Sequence, residues 1–283
     1  MRRSPVRVTI GMPVFDGERT LAMAIETLLA QTYADFQLLI SDNASTDGTA
    51  RICETFAARD PRVSYIRQRQ NIGAEANFDF VLAQADSEYF MWAAADDSRS
   101  SDFVEANLDF LERHADFVGS TCRVRYVGEA YDAVRMGDAT RQEELPSERI
   151  ARFFEGWHAN GRFYSLFRRR ALVSAKEGIG AFLAADWAVV VRLLSQGKMN
   201  RLDAGSVDLG TGGASRSMNY LASQRKRWLH LLFPVAELTC VTLRATKGGG
   251  LAARTKLVLR LARFNASVLR TRFRFARDRV SQR

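Results

Sequence analysis

Asp96 and Asp97 stand side by side in "FMWAAADDSRSSDF", directly after an apolar run. Adjacent like charges repel and resist burial, so a folded chain keeps such a pair in water or beside a compensating cation. A solvated turn meets the first condition and a bound divalent cation the second. Asp16, and Asp42 with Asp47, occupy equivalent settings after two earlier strand-like segments. A turn aspartate explains any one of these, but their recurrence after successive strands points to one edge of a sheet. Carboxylates there suit Mg²⁺ or Mn²⁺, which take oxygen ligands and often use one or two protein carboxylates beside phosphate oxygens. The other routes to a phosphate lack their fingerprints: no Gly-x-Gly-x-x-Gly follows the first strand and no Gly-Lys-Ser/Thr occurs.

The elements that must position these aspartates alternate. Strand patterns cover residues 6–10, 36–41, 62–66 and 88–94, each followed by a polar loop and a helical pattern. In the first helix Leu21, Ile25, Leu28 and Leu29 share a face; Thr46 and Asp47 suit the N-cap of the second, over residues 49–58. Strand–helix alternation implies right-handed crossovers and a doubly wound, mainly parallel sheet, whose ligands bind beyond the carboxyl ends of its strands. The later chain is mixed. "DFVGSTCRVRY", "GRFYSLFRR" and residues 199–202 read as strands, residues 147–154 as a helix, and "AADWAVVVRLLSQG" as a helix closed by Gly197 at C′. No internal repeat is present.

Composition bounds the function classes. With 283 residues and 47% hydrophobic content, the chain can bury a sizeable core. The net charge of +9 is unevenly spread: residues 216–283 carry 16 Lys and Arg against two acids, while the remainder is mildly acidic. A basic tail points to a polyanion, either an anionic membrane surface or nucleic acid. Within it Leu257, Leu261, Phe264, Val268 and Phe275 fall on one helical face, flanked by Lys256, Arg260, Arg263, Arg270 and Arg274. Such a helix lies on an anionic bilayer or packs on the body. Residues 228–243 are apolar but too short, and too interrupted by His230, Pro234 and Glu237, for a transmembrane span. The N-terminal stretch does not resemble a signal peptide, so a cytoplasmic location is expected, with the tail peripheral on the inner face of the cell membrane. Cys53, Cys122 and Cys240 show neither disulfide nor zinc spacing, and His114, His158 and His230 share none with them. Trp92 reads as core; Trp157 and Trp187 read as core or as sugar-facing aromatics.

The ordered set "VTIGMPVFDGERTLAMAIETLLAQTYADFQLLISDNASTDGT", "RQNIGAEANFDFVLAQADSEYFMWAAADD" and "AADWAVVVRLLSQG" resembles the family 2 glycosyltransferases of GT-A fold, over residues 6–215. The resemblance implies an α/β, Rossmann-like sheet with a mixed acceptor half over residues 1–215; the charge distribution and helical periodicity add a basic helical tail over residues 216–283. It implies an inverting, metal-dependent transfer from a nucleotide-sugar donor, with a UDP-sugar favoured, to a hydroxyl of a glycan or lipid-linked acceptor in cell-surface polysaccharide or glycoconjugate synthesis. Nucleic acid is not an expected partner.

Matched position by position, Pro13, Val14 and Phe15 line the base and ribose and Asp42 accepts from the base. Arg69 and Asn71 lie near the nucleotide, Asp96 near the ribose, Asp97 on the Mg²⁺ or Mn²⁺ bridging the diphosphate, and Asp186 is the general base. "GTGGASRS" matches a loop closing over the donor, with Arg216 toward the diphosphate, or is a plain connector. The chain departs from the family pattern at Phe15 and Asp16, where Tyr-Asn is usual, and at Ala185, where an acid often precedes the base. Asp203, Asp208 and Glu177 are rival bases. A sugar-nucleotide-forming nucleotidyltransferase is the rival enzyme, although "GMPVFDGE" replaces its basic glycine-rich loop; a non-enzymatic membrane-surface or nucleic-acid binding module is the third reading.

Overall fold

The computed structural model describes residues 6–156, 158–210, 232–248 and 250–280, with the backbone alone for residues 251–253 and 271–280. Strands and helices alternate as the periodicity implies: β1 (Val8–Val14), α1 (Leu21–Leu29), β2 (Phe36–Asp42), α2 (Thr49–Arg59), β3 (Val63–Arg67), α3 (Ala74–Gln84) and β4 (Tyr89–Trp92). There follow β5 (Ser98–Arg99), α4 (Phe103–Arg113), β6 (Phe117–Tyr126), α5 (Ala133–Met136), α6 (Pro146–Phe153), β7 (Leu166–Arg168), α7 (Arg169–Lys176), α8 (Ala185–Gln196), β8 (Lys198–Leu209), α9 (Ala236–Ala245) and α10 (Leu251–Val280).

The eight strands among the described residues join one sheet in the order β3-β2-β1-β4-β7-β6-β8-β5. The β1–β2, β2–β3, β1–β4 and β6–β8 pairs are parallel, whereas β7 runs antiparallel to β4 and β6, and β5 antiparallel to β8. The first half is therefore doubly wound and parallel, the second mixed.

Alternate residues of the central strands enter opposite layers, as the two-residue period of a strand requires. Leu38, Ile40, Tyr89 and Met91 pack with Leu21, Ile25, Phe103 and Leu108 on one face; Leu39, Phe90 and Trp92 pack with Phe153, Phe167 and the α8 residues Val190 and Leu194 on the other.

Three expectations about local structure change. "GRFYSLFRR" is not one strand: residues 161–164 tighten into a 3₁₀ turn and only Leu166–Arg168 is extended. Aromatic packing overrides the alternation, because the turn lays Phe163 flat on Trp92, with ring centroids 4.7 Å apart and planes 9° from parallel. Gly197 does not close α8 with a left-handed residue; its φ is −170°. What requires glycine there is close approach, since a Cβ would lie 2.5 Å from Val118 Cγ1 and 2.9 Å from the Asp116 carbonyl. The strand expected near residues 199–202 runs to Leu209, because β6 offers it a long parallel partner.

The basic tail is built into the core where it is described. Leu257, Leu261, Phe264 and Val268 are buried with Phe153, Trp187 and Leu238. Phe264 lies 4.9 Å from the Trp187 ring and 6.1 Å from Phe154. Asn265 Oδ1 accepts the Val235 N–H at 3.3 Å, and Arg260 donates to the Ala151 carbonyl. Of the two uses of this amphipathic face, packing on the body is the one observed for these four residues; Lys256, Val258, Leu259, Arg263 and Arg270 face outward. Among the described residues no helix is long and apolar enough to cross a membrane.

Candidate active site

The loops after β1, β2, β3 and β4 all leave the carboxyl edge of the parallel half. The first two are locked to each other. Asp16, at φ 48°, donates its N–H to Ser45 Oγ (2.9 Å) and accepts the Thr46 N–H on Oδ1 (2.8 Å). The Gly17 N–H donates to Thr49 Oγ1 at 2.8 Å, and the Glu18 N–H to Asp47 Oδ2 at 3.0 Å. Asp47 also accepts the Thr49 N–H at the start of α2, which is the capping expected of it, although Gly48 occupies the cap position itself. The third loop is tied to the second, because Asn43 Nδ2 donates to Asn71 Oδ1 (3.0 Å) and Asn43 Oδ1 accepts the Ile72 N–H (2.8 Å).

Asp42 is fully buried beneath these loops. Its Oδ1 accepts the Ser45 N–H at 2.8 Å; its Oδ2 accepts the Tyr65 hydroxyl at 3.0 Å and lies 3.6 Å from Arg67 Nε. Burial first, and then the hydrogen bond to this carboxylate, raise the Tyr65 hydroxyl above its usual range. Asp42 thus holds the loop together, and both its oxygens already have partners. Pro13 and Val14 are buried in β1, opposite Ser41 and Asp42, so Phe15, 48% exposed, is the residue of that trio whose side chain faces outward. Arg69 and Asn71 are exposed on the loop after β3.

The acidic pair follows β4, and β5 brings the end of β8 against it. The β5–β8 register pairs Ser98 with Asp208, which carries Gly210 opposite Asp96. The Gly210 N–H donates to Asp97 Oδ1 at 3.0 Å, while the Asp96 carbonyl and carboxylate sit within contact distance of where a Cβ on residue 210 would be. Gly210→Ala therefore displaces backbone at the pair. The expected result is a loss of about 1–3 kcal/mol in stability together with at least tenfold weaker nucleotide binding, read by thermal melting and by titration with UDP and Mn²⁺.

Asp97 is buried, and its Oδ2 has no hydrogen-bond partner. Burial pushes its carboxyl up to about 6, against the opposing charge of Arg99 and the Gly210 N–H. Arg99 is itself buried: it donates to the Trp92 carbonyl at 2.9 Å, has an unpartnered Nε, and is held below its usual range by desolvation. An unpaired, buried carboxylate oxygen fits a ligand for a hard divalent cation. One carboxylate is enough where a diphosphate and water complete the shell, and no group of three or more His, Cys, Asp or Glu able to hold a metal unaided exists among the described residues.

Asp186 lies in the first turn of α8, whose cap residue Ala184 is left-handed at φ 66°. Asn160 Nδ2 donates to Asp186 Oδ2 at 2.8 Å. Burial raises the Asp186 carboxyl, opposed by this amide and by the Trp187 N–H. Tyr164, in the 3₁₀ turn, is coupled electrostatically to both Asp186 and the acidic pair. Its phenol is raised by burial first and then by the charges of Asp97, Asp186 and Asp96, so the three carboxylates act on one hydroxyl. Two acidic motifs about 90 residues apart in sequence thus both bear on this turn.

The rival bases are exposed or ion-paired. Asp203 is exposed and paired with Arg201 (3.0 Å) and Arg123 (3.4 Å). Asp208 is paired with Arg125, and Glu177 is exposed at the end of α7. Trp92 and Trp187 are buried, and His114 Nδ1 lies 2.8 Å from the Phe110 carbonyl. Trp157, His230, Arg216 and the rest of "GTGGASRS" after Gly210 lie outside the described residues.

Sequence reasoning missed Tyr164, Arg99, Gly210 and Asn160. Only the last carried a signal, since Asn-Gly at 160–161 marks a left-handed residue. Its φ is 55°, and the non-glycine residues with positive φ among those described are Asp16, Ala44, Asn160 and Ala184. All four lie in the loops around these carboxylates, the setting in which backbone strain gathers at functional sites.

A curled mixed sheet with carboxylates gathered at its parallel edge defines the GT-A architecture. The glycosyl transferase family 2 model matches residues 9–174, and the chain belongs to that family. A Bacillus subtilis protein named as a glycosyltransferase, EpsE, is 35% identical over 109 residues, which is 38% of this chain and 39% of that protein. Chondroitin synthase of Escherichia coli is 33% identical over 98 residues, 32% of this chain and 14% of the synthase. The match to these curated relatives thus spans well under half of their length. Staphylococcus aureus TarS (residues 1–349, solved with UDP-GlcNAc) superposes with a TM-score of 0.63 at 14% identity, covering 91% of this chain and 80% of the other. The mannosyltransferase PcManGT of Pyrobaculum calidifontis, solved with GDP-Man and Mn²⁺, gives 0.58 at 17% identity, covering 96% and 81%. At such identities the likeness speaks for the fold.

Proposed function

We propose that the protein is an inverting glycosyltransferase that moves a sugar from a nucleoside-diphosphate sugar to an acceptor hydroxyl. The observation that carries this reading is the buried, unpartnered Asp97 Oδ2 in the loop after β4, beyond the carboxyl ends of the parallel strands, where ligands of open α/β sheets bind. UDP-GlcNAc is the first donor to test, because the TarS structure was solved with it, and GDP-mannose the second.

In this reading Phe15 and the loop after β3, with Arg69 and Asn71, take the base and ribose. Asp42, which holds the loop after β2, is the acceptor assigned to the base, since each carboxylate oxygen can accept more than one hydrogen bond. Asp96 takes the ribose side. Asp97 Oδ2 would hold Mg²⁺ or Mn²⁺, which when bound supplies positive charge for the departing diphosphate. Asp186 takes the proton of the acceptor hydroxyl as that oxygen bonds to the anomeric carbon. The bond from that carbon to the diphosphate oxygen breaks on the opposite face, and its electron pair leaves with the nucleoside diphosphate. Burial of Asp186 leaves its carboxylate more basic than an exposed one, which suits a group that must accept a proton.

The division into a transferase unit over residues 1–215 and a basic segment over residues 216–283 belongs to this proposal, as do a cell-surface polysaccharide or glycoconjugate product and contact with an anionic membrane inner surface. With the apolar side of α10 buried on the body, Lys256, Arg263 and Arg270 on its outer side are the groups that would meet anionic lipid.

A thermal-shift screen of UDP, GDP, UDP-GlcNAc and GDP-mannose, each with and without Mn²⁺, tests the reading. Stabilisation by at least one pair in a Mn²⁺-dependent manner is expected. No stabilisation by any of them, with or without the cation, would sink it.

A further inference from the structure

Asn160 is an unexpected residue at its position. It is 1% exposed, left-handed, and its Oδ1 is buried without a partner. A buried, unsatisfied amide oxygen is destabilising, and glycine would adopt the backbone angle with less strain. The hydrogen bond that its side chain does make is the 2.8 Å donation from Nδ2 to Asp186 Oδ2. The residue type is therefore explained by that carboxylate.

The conformation has its own support. The Asn160 N–H donates to His158 Nδ1 at 3.0 Å, and His158 Nε2 lies 3.0 Å from the Phe153 carbonyl. With Nδ1 accepting, the ring proton sits on Nε2 and donates to that carbonyl, so the ring is the neutral tautomer. Burial, which lowers His158 to about 4, keeps it so at neutral pH. The ring stacks on Trp187, the neighbour of Asp186, with centroids 4.2 Å apart and planes 9° from parallel. On the other side it abuts Gly137, where any Cβ would collide with it. The imidazole is fixed between α8 and the α5 cap, and it fixes Asn160 in turn.

We propose that Asn160 is a positioning residue for Asp186: its amide aims the carboxylate and keeps it ready to take a proton, and the His158–Trp187 stack holds the amide in place. This rests on the reading of Asp186 as the base. Among the described residues, the titratable group coupled to Asp186 from another element is Tyr164 in the 3₁₀ turn, on which Asp96 and Asp97 also act; His158, stacked on Trp187, is neutral.

Hydrogen bonding to the ionised form favours it, so removing the donor must raise the pH at which Asp186 protonates. Asn160→Gly keeps the left-handed backbone and deletes the amide. Asn160→Asp keeps the shape and places a second carboxyl against the first, and it carries the test if the glycine variant does not fold. Carboxyl ¹³C titration of aspartate-labelled full-length protein, with the Asp186 signal assigned by its loss in Asp186→Asn, reads the midpoint without any substrate. It should move up in Asn160→Gly and further in Asn160→Asp. Where transfer is assayed with UDP-GlcNAc and Mn²⁺, kcat at pH 7 should fall about tenfold or more, the acid limb of the pH profile should move the same way, and the donor KM should stay unchanged. An unmoved Asp186 midpoint in both variants overturns the proposal. Full-speed turnover by Asp186→Asn overturns instead the base assignment beneath it, and the two failures are read on separate measurements.

Discussion

Asp97→Asn should melt at a higher temperature than the wild-type protein at pH 7.5 without ligands, and should lose Mn²⁺-dependent binding of nucleoside diphosphates. The physical reason is the buried, unpartnered Oδ2. Burial holds the folded carboxyl at about 6 against its ordinary 3.8, so the folded state binds the proton more tightly than the unfolded one. Stability from this group is then present below about pH 4 and is lost as pH rises to about 6. Above that the ionised carboxylate costs about 3 kcal/mol at most. The asparagine carries no charge to desolvate; it leaves one amide group unsatisfied, which returns part of the gain, so a rise of a few degrees is expected. The two effects have opposite signs. A divalent cation at Oδ2 supplies the missing charge in the wild type and has no carboxylate to bind in the variant, so Mn²⁺ with UDP should raise the melting temperature of the wild type alone. Equal stabilisation of both proteins by Mn²⁺ and UDP would remove Asp97 from the metal site, and a variant that melts lower at pH 7.5 would contradict the account of its burial.

Asp186→Asn should keep nucleotide-dependent thermal stabilisation and lose turnover by about 10²- to 10⁴-fold, the range a general base contributes. The substitution is nearly isosteric, and its amide oxygen can still accept the Asn160 Nδ2 donor, so the start of α8 should keep its structure. What is lost is the site that receives the acceptor proton. Because Asp186 is assigned to the acceptor hydroxyl and not to the nucleotide, the donor KM should change little while kcat collapses, as for an interaction made mainly in the transition state. Unchanged kcat would move the base elsewhere. Asp208 and Asp203 are already engaged with Arg125, Arg201 and Arg123, so a rescue by either would require those ion pairs to open.

The substitution sites in these experiments differ in how visible they are in the chain. Asp97 is legible because β4 is a short apolar run ending in a charged pair, and a parallel strand must deliver its next loop to the ligand edge. Asp186 is legible as the first acid of a strongly apolar helix, but its facing partner is not. The Tyr164 turn that links the two regions reads by residue type as strand, and only the stacking of Phe163 on Trp92 bends it into a 3₁₀ turn. Gly210 and Arg99 reach Asp97 through the antiparallel register of a two-residue strand, too short to leave a periodic signal.

The sequence by itself determined the alternating half of the sheet, the edge on which the aspartates gather, and an amphipathic, basic last helix. Two-residue and 3.6-residue periodicities are local properties, readable without knowing what packs where. Only the tertiary structure decided what each carboxylate meets. It closed Asp42 into Ser45, Tyr65 and Arg67, left Asp97 Oδ2 unpartnered, and tied Asp186 to Asn160. It also decided that Leu257, Leu261, Phe264 and Val268 pack on Phe154 and Trp187 rather than face outward. An apolar stripe specifies that it must be covered and is silent on by what, and a carboxylate's partners come from strands and turns far away in the chain.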